Sequence, residues 1–308
     1  MSERIYLDHN ATSPLRECVR ETVLAALDTC GNPSSVHAEG RAARGLIESA
    51  REKVARFVGA RAEDVIFTSG GTEANALALN PQRGDWFCCI STIEHPSVLA
   101  GGRFPQDSIM SIPATADCVI DLEKLAAALA NSQMKGRRPF VSLMAANNET
   151  GAIQPVAEAA MMVHEAGGLL HSDAIQAAGK VPFDLASSGA DMISLSAHKF
   201  GGPKGVGALV LRQGVTVEPL IKGGGQERRR RAGTENVSGI VGFGVAAELA
   251  SAGLGKAAEI GKLRDELEAR AISIAPDRIV FSANVARLPN TSAFAVPGTK
   301  AETLLIGL

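Results

Sequence analysis

One tryptophan and one tyrosine in 308 residues leave little flat aromatic surface, which argues against a base-stacking nucleic-acid platform. Charge of one sign is lacking as well. The formal net charge is −2, so no global field draws the chain to nucleic acid or to an anionic membrane. No apolar run is expected to approach the ~20 residues that span a bilayer. The opening Met-Ser-Glu-Arg-Ile-Tyr-Leu-Asp has no apolar run followed by small residues and does not read as a signal peptide. Cysteine is sparse and odd in number: Cys18, Cys30, Cys88, Cys89 and Cys118 form no CxxC pair and no His/Cys metal spacing. That disfavours a secreted disulfide framework and makes the reducing cytoplasm the expected compartment. Cys88 and Cys89 lie in the apolar run Phe87-Cys-Cys-Ile90 and read as small buried hydrophobes rather than a redox pair. There is no P-loop pattern, no low-complexity segment and no clear internal repeat.

What is present is an alternation. Short apolar or β-branched runs at 65–67, 88–91, 140–145, 168–171, 192–195 and 206–211 read as strands. Between them lie helical patterns. Leu46, Ala50, Val54 and Phe57 recur at helical spacing with charges on the other faces. Pro155 opens another helix, and Gly167-Gly168 close it. Repeated strand–helix alternation predicts an α/β fold: a mostly parallel sheet with helices on both faces. After about residue 250 the texture changes to a charged amphipathic helix over 256–271 and a mixed strand-like stretch. A large domain over 13–250 is expected, with 1–12 and 251–308 forming a smaller one. The last residues read as the opening of a helix.

Several polar clusters follow predicted strands, the edge at which open α/β sheets bind ligands. In Thr68-Ser-Gly-Gly-Thr-Glu, Gly71 and Thr72 can form a phosphate cup at a helix start. Asp173 in His171-Ser-Asp-Ala-Ile-Gln176 is costly to bury unless it is paired. A cationic ring nitrogen of a cofactor would pair it, with Gln176 near a ring hydroxyl; equally, Asp173 can cap a helix. Lys199, between a strand and Phe-Gly-Gly, suits a Schiff base if burial lowers its pKa, with Ser196 and His198 donating to a phosphate. A solvated surface lysine is the commoner fate. His95 can stack on a flat cofactor and move protons, although a lone histidine is more often structural. Asn148 lies in Asn147-Asn-Glu-Thr-Gly151, which is either a ligand-binding amide or an Asn/Gly turn. The run Arg228–Arg231 in a nearly neutral chain is poor support for nucleic-acid binding, and a flexible loop reaching an anionic cofactor or a partner subunit is an equal reading. No metal site is predicted.

Taken together, these motifs resemble the cysteine desulfurases of iron–sulfur cluster assembly and nitrogen fixation, within the class V aminotransferases of pyridoxal-phosphate fold type I. The resemblance runs from Ile5-Tyr-Leu-Asp-His-Asn-Ala-Thr-Ser-Pro14 through Gly31-Asn-Pro-Ser-Ser-Val-His37, Ser69-Gly-Gly-Thr-Glu73, Glu94-His95, Asn147-Asn-Glu-Thr-Gly151 and Asp173-Ala-Ile-Gln176. It ends with Ala197-His-Lys199 and Gly223-Gly-Gly-Gln-Glu-Arg228 followed by Gly233-Thr234. It is most similar to the nitrogen-fixation type. The resemblance implies pyridoxal 5′-phosphate as cofactor, bound by Lys199 as a Schiff base. His95 would stack on the ring and act as acid or base, and Asp173 would face the ring nitrogen. Gln176 and Asn148 would lie near the ring hydroxyl, Asn148 also near the substrate carboxylate. Gly71, Thr72, Ser196 and His198 would hold the phosphate. Thr234 would serve the neighbouring subunit's phosphate, which implies a homodimer.

The implied reaction takes L-cysteine to L-alanine and leaves sulfur as an enzyme persulfide for an iron–sulfur scaffold protein. None of the five cysteines matches the family's persulfide-forming residue, so a truncated small domain, and weak turnover, are expected of the chain as it stands. Two other readings remain open: another enzyme of the same fold, such as a selenocysteine lyase or an aminotransferase, and a non-catalytic scaffold relative.

Overall fold

The computed structural model describes residues 5–80, 84–134 and 136–307. Its centre is a seven-stranded sheet: β1 (Val65–Thr68), β2 (Trp86–Ser91), β3 (Ile109–Ile112), β4 (Arg138–Ser142), β5 (Leu169–Asp173), β6 (Met192–Ser196) and β7 (Gly207–Leu211). The spatial order is β1-β7-β6-β5-β4-β2-β3. β7 runs antiparallel to both of its neighbours, and the remaining pairings are parallel. Six strands therefore point the same way, in agreement with a mostly parallel sheet.

Both faces of the sheet are apolar because both are covered. Successive side chains in a strand point to opposite faces, and here they enter two separate cores. Phe67, Cys89, Val141, Ile193 and Val210 join one core. Their neighbours Ile66, Cys88, Phe140, Met192 and Leu209 join the other. Cys88 and Cys89 are thus buried on opposite faces, as small hydrophobes. Burial drives both thiols up, that of Cys89 to about 12.

The helices are α1 (Glu17–Leu27), α2 (Ala38–Phe57), α3 (Gly71–Ala78), α4 (Pro96–Leu99), α5 (Leu122–Met134), α6 (Val156–Glu165), α7 (Leu185–Ser188), α8 (Val237–Gly253), α9 (Ala257–Ile274) and α10 (Ala301–Gly307). α8 packs closely on α2, and glycine makes this possible: a Cβ at Gly244 would lie 2.8 Å from the Cα of Ala50. The helical stretch Val237–Ile274 is long and apolar enough to cross a membrane by composition, which corrects the expectation that no run approaches that length. Its first part, α8, buries Ile240, Phe243, Ala246 and Ala247, as a core helix does.

Three further differences from the sequence reading concern elements. β3 was not anticipated, because Ile109-Met-Ser-Ile112 is short and half-exposed. The strand expected over 140–145 ends at Ser142; Leu143 and Ala145 continue into a turn, with their N–H groups bonded to the carbonyls of His171 and Asp173. The stretch after α9 contains the short antiparallel pair β8 (Ile279–Val280) with β9 (Phe294–Ala295), followed by α10. This region is tied to the loop after β4: Leu288 N donates to Gly151 O and Ile153 N to Ala286 O. It is tied to α9 by the Arg287–Glu268 pair at 2.6 Å, which Ser292 joins at 2.7 Å.

Candidate active site

Because six strands are parallel, the carboxyl ends of β1, β2, β4, β5 and β6 lie along one edge. The polar turns that follow them converge on a cavity of about 370 Å³, within the usual range of small-molecule sites. Gly71, Thr72, His95, Asn148, Asp173, Gln176, Ser196, His198 and Lys199 all line it.

Asp173 ends β5, and its side chain is buried. Oδ1 accepts from Ile175 N at 3.0 Å and Oδ2 from Asn75 Nδ2 at 2.7 Å. Burial pushes its pKa up, while the Asn75 and Ile175 hydrogen bonds pull the other way. The helix-capping alternative is not met: no helix follows β5 directly, and Asp173 Oδ1 instead closes a turn at Ile175 N. Yet among the described residues no cation forms an ion pair with it. A buried carboxylate on a cavity wall without such a partner suits a cationic ring nitrogen in a ligand.

Lys199 sits in the single 3-10 turn after β6. Nζ donates to Asn10 O at 2.5 Å. Burial lowers its pKa, against the opposing effect of Asp173, Asp8 and Glu149. A larger share of neutral amine makes it a better nucleophile. It is held from behind by the N-terminal segment: Ser13 N donates to His198 O and Ser13 Oγ to Lys199 O.

The other end of the cavity is built for an anion. Gly71 opens α3, where first-turn N–H groups lack helical partners. A Cβ at Gly71 would lie 2.2 Å from Ile175 Cδ1, so a larger residue would have to displace the Ile175 side chain. Ser196 and His198 face the same space. His198 Nδ1 lies 3.1 Å from Thr12 Oγ1. Burial first, then Lys199 and Lys204, lower its pKa, which favours the neutral imidazole.

Gln176 and Asn148 line the cavity, with part of each amide already engaged. Gln176 Nε2 donates to Asn10 O at 2.8 Å, and Oε1 accepts from Lys180 Nζ. Lys180 is pulled down to about 7, by burial and then by Lys199. Asn148 Nδ2 donates to Glu149 Oε1 at 2.6 Å. The Asn/Gly turn reading describes Asn147, whose Oδ1 accepts from the N–H of Glu149 and of Thr150. His171 is core: it bridges Ser142 Oγ and Ser194 Oγ, and burial drops its pKa to about 3.

Thr234 is exposed and does not line this cavity. The arginine run is dispersed rather than presented as one patch: Arg231 pairs with Glu73 at 2.9 Å and Arg230 donates to Glu63 O. Glu227, just before it, makes a buried pair with Arg51 at 2.7 Å.

Sequence reasoning missed Asp8, Asn10, Ser97 and Asn75. Asn10 meets Lys199 across 189 positions of sequence, and Asn75 meets Asp173 across 98. The resemblance at Leu7-Asp-His-Asn10 gave a signal that this segment matters, but not what it touches.

Fold and site together define an α/β enzyme in which a half-buried lysine, a buried carboxylate and the start of a helix meet in one cavity at the edge of an open sheet. The chain belongs to the aminotransferase class-V family, whose model matches residues 5–308. It is 46% identical to the cysteine desulfurase of Cereibacter sphaeroides over 99% of this chain and 79% of that protein. It is 39% identical to the cysteine desulfurase IscS of Dictyoglomus turgidum, over 100% and 79%. Among solved structures, the NifS-like protein from Rickettsia africae superposes with a TM-score of 0.92 at 38% identity, covering 99% of this chain and 85% of that one.

Proposed function

We propose that this chain is a pyridoxal-phosphate-dependent cysteine desulfurase that removes sulfur from L-cysteine and leaves L-alanine. The observation that carries the reading is the placement of a nucleophilic lysine and an unpaired buried carboxylate on the walls of one cavity, beside an anion cup, in a chain so similar to named cysteine desulfurases. Lys199 would hold the cofactor, Asp173 its ring nitrogen, and Gly71, Thr72, Ser196 and His198 its phosphate. When bound, the cofactor supplies an electron sink for charge that develops on the substrate carbon. The chain's own residues do the rest. Lys199 Nζ, whose pKa burial lowers, would take and return protons. Asp173, its carboxylate fixed by Ile175 N and Asn75 Nδ2, would hold the positive ring nitrogen. Gln176 and Asn148, which line the same cavity, would lie near the ring hydroxyl.

None of the five cysteines lines the cavity. The thiol that receives sulfur is therefore none of these five in this conformation. We assign the product sulfur to a persulfide acceptor, ultimately a scaffold protein for iron–sulfur clusters of the nitrogen-fixation type. The assembly we propose is a homodimer in the cytoplasm. Supporting it, Thr234 lies outside its own chain's cavity, and Leu7 and Val36 are 79% and 87% exposed. All five cysteines are free thiols, as a reducing compartment requires. We keep the division into a large domain over 13–250 and a small one from 1–12 with 251–308, noting that residues 10–13 also contact Lys199 and its turn.

The test is alanine formation from L-cysteine by the cofactor-loaded chain with an added small thiol as sulfur acceptor. Alanine and released sulfide in equal amounts are expected. Alanine formed only from selenocysteine, or only with a keto acid present, would replace this reading with that of a lyase or an aminotransferase.

A further inference from the structure

His95, after β2, and Asp173, at the end of β5, line the same cavity, and a hydrogen-bond chain, exposed at His95 and buried at Asp173, links them. It starts at a backbone group. Ser97 N donates to His95 Nδ1 at 3.1 Å as the cap of α4. A backbone N–H can only donate, so Nδ1 carries no proton. Ser97 Oγ lies 2.8 Å from the same nitrogen. Its single hydrogen must then point at Nδ1, and its lone pair is left to accept. Asn75 Nδ2 fills that role at 2.9 Å and sends its other hydrogen to Asp173 Oδ2 at 2.7 Å. Every donor direction follows from the first.

Asn75 is fully buried, and its Oδ1 has no partner among the described residues. A buried orphan acceptor is destabilising. Turning the amide over would satisfy Oδ1 only by breaking the chain. The arrangement thus spends stability on keeping both amide hydrogens in the link between Asp173 and Ser97.

We propose that Ser97 and Asn75 are positioning residues that lock His95 in the tautomer with its proton on Nε2, so that His95 is a fixed hydrogen-bond donor to the cavity's occupant rather than a base. Nε2 is the ring nitrogen with no hydrogen bond to the protein among the described residues. To act as a base the neutral ring would have to take its second proton on Nδ1, at the loss of both Ser97 bonds. The link also couples the two ends: the amide that orients Ser97 is the one that donates to the Asp173 carboxylate. The significance of the tautomer rests on the proposed function, because it is the cofactor or substrate that would meet Nε2.

The test is ¹⁵N NMR of histidine-labelled protein, with the His95 signals assigned by their loss in His95→Gln. Wild type should show an unprotonated Nδ1 and a protonated Nε2. Ser97→Ala, at a half-buried site that tolerates a smaller side chain, should lower the tautomer ratio about fivefold, the worth of one hydrogen bond. Ser97→Thr should restore it. Asn75→Ala should shift the ratio in the same direction, with thermal unfolding recorded to separate this from loss of fold. A protonated Nδ1 in wild type would overturn the proposal, as would a ratio unmoved in Ser97→Ala. Cofactor binding is read separately from the visible band: its absence with the expected tautomer sinks the proposed function, and its presence with the wrong tautomer sinks only the lock.

Discussion

At the scale of single residues, the chemistry comes from burial acting in opposite directions on an amine and a carboxyl. Lys199 is lowered from the ordinary lysine value of 10.5. The neutral amine is the form that attacks a carbonyl carbon, so cofactor loading should speed up as pH rises through that lowered value. The rate at which the visible imine band grows, followed across pH, should have its midpoint below 10.5; a midpoint at or above it contradicts the role given to burial. Asp173 offers a second check. Asp173→Asn keeps the shape and removes the charge. Breaking a buried ion pair costs roughly 3–5 kcal/mol, so cofactor affinity should fall by at least about 100-fold in an equilibrium titration. An unchanged affinity would mean that Asp173 faces no cationic partner. Lys180 tests burial by linkage. Its folded value of about 7 lies below its free value of 10.5, so between these the unfolded chain binds more protons and stability rises with pH. Lys180→Met removes that rise. The wild-type stability minus that of the variant should increase from about pH 7 to about pH 10, read from urea midpoints; parallel pH profiles would refute the shift.

At the scale of elements, the sheet explains why the site lies where it does, and also how far a sequence can reveal it. Strands whose neighbouring residues enter two cores, such as Ile66-Phe67 and Phe140-Val141, announce themselves as short continuous apolar runs. β3 does not, because only Ile112 of its four residues is buried. The polar turns after β1, β5 and β6 were legible because Gly, Asp and Lys are unusual directly after buried strands. The partners of those residues were not legible, since Asn10 and Asn75 arrive from elsewhere in the chain. One loop is held by an ion pair that no local pattern reveals. Glu227, Arg228 and Arg229 all have positive φ, at 45°, 54° and 66°, a conformation unfavourable for non-glycine residues. The bidentate Arg51–Glu227 pair anchors it, with the two side chains only 6% and 2% exposed, and Glu227 also accepts from Phe67 N. Glu227→Gln removes the buried half of Arg51's pairing and leaves it only the more exposed Glu48 at 3.2 Å, so the cost should approach, but not exceed, the roughly 3–5 kcal/mol of a broken buried pair. Replacing both residues with apolar ones should cost less than the sum of the single changes in a urea-unfolding cycle; additivity would show that the two do not act as a pair.

At the scale of the whole molecule, six parallel strands bring five turns to one edge, and residues 8–13 close that edge from the far end of the sequence. The same segment reaches Thr291 and Asn290 through Asn10, so the region after α9 is bonded into the wall of the site. Exposed apolar side chains include Leu7, Leu27 and Val36 in the N-terminal part of the chain and Leu263 and Ile274 on α9. Exposed apolar side chains of this kind can serve a contact surface, and under the proposed homodimer sedimentation of the loaded protein should give a species of twice the chain mass; a monomer at micromolar concentration would contradict that proposal. The central claim, that this cavity binds pyridoxal phosphate through Lys199 and admits L-cysteine, is tested most directly by the visible absorption of the loaded chain before and after L-cysteine is added. An imine band that shifts on addition of cysteine, and that is absent in Lys199→Ala, is the expected result. A chain that shows no band after incubation with the cofactor, or a band indifferent to cysteine, would contradict it.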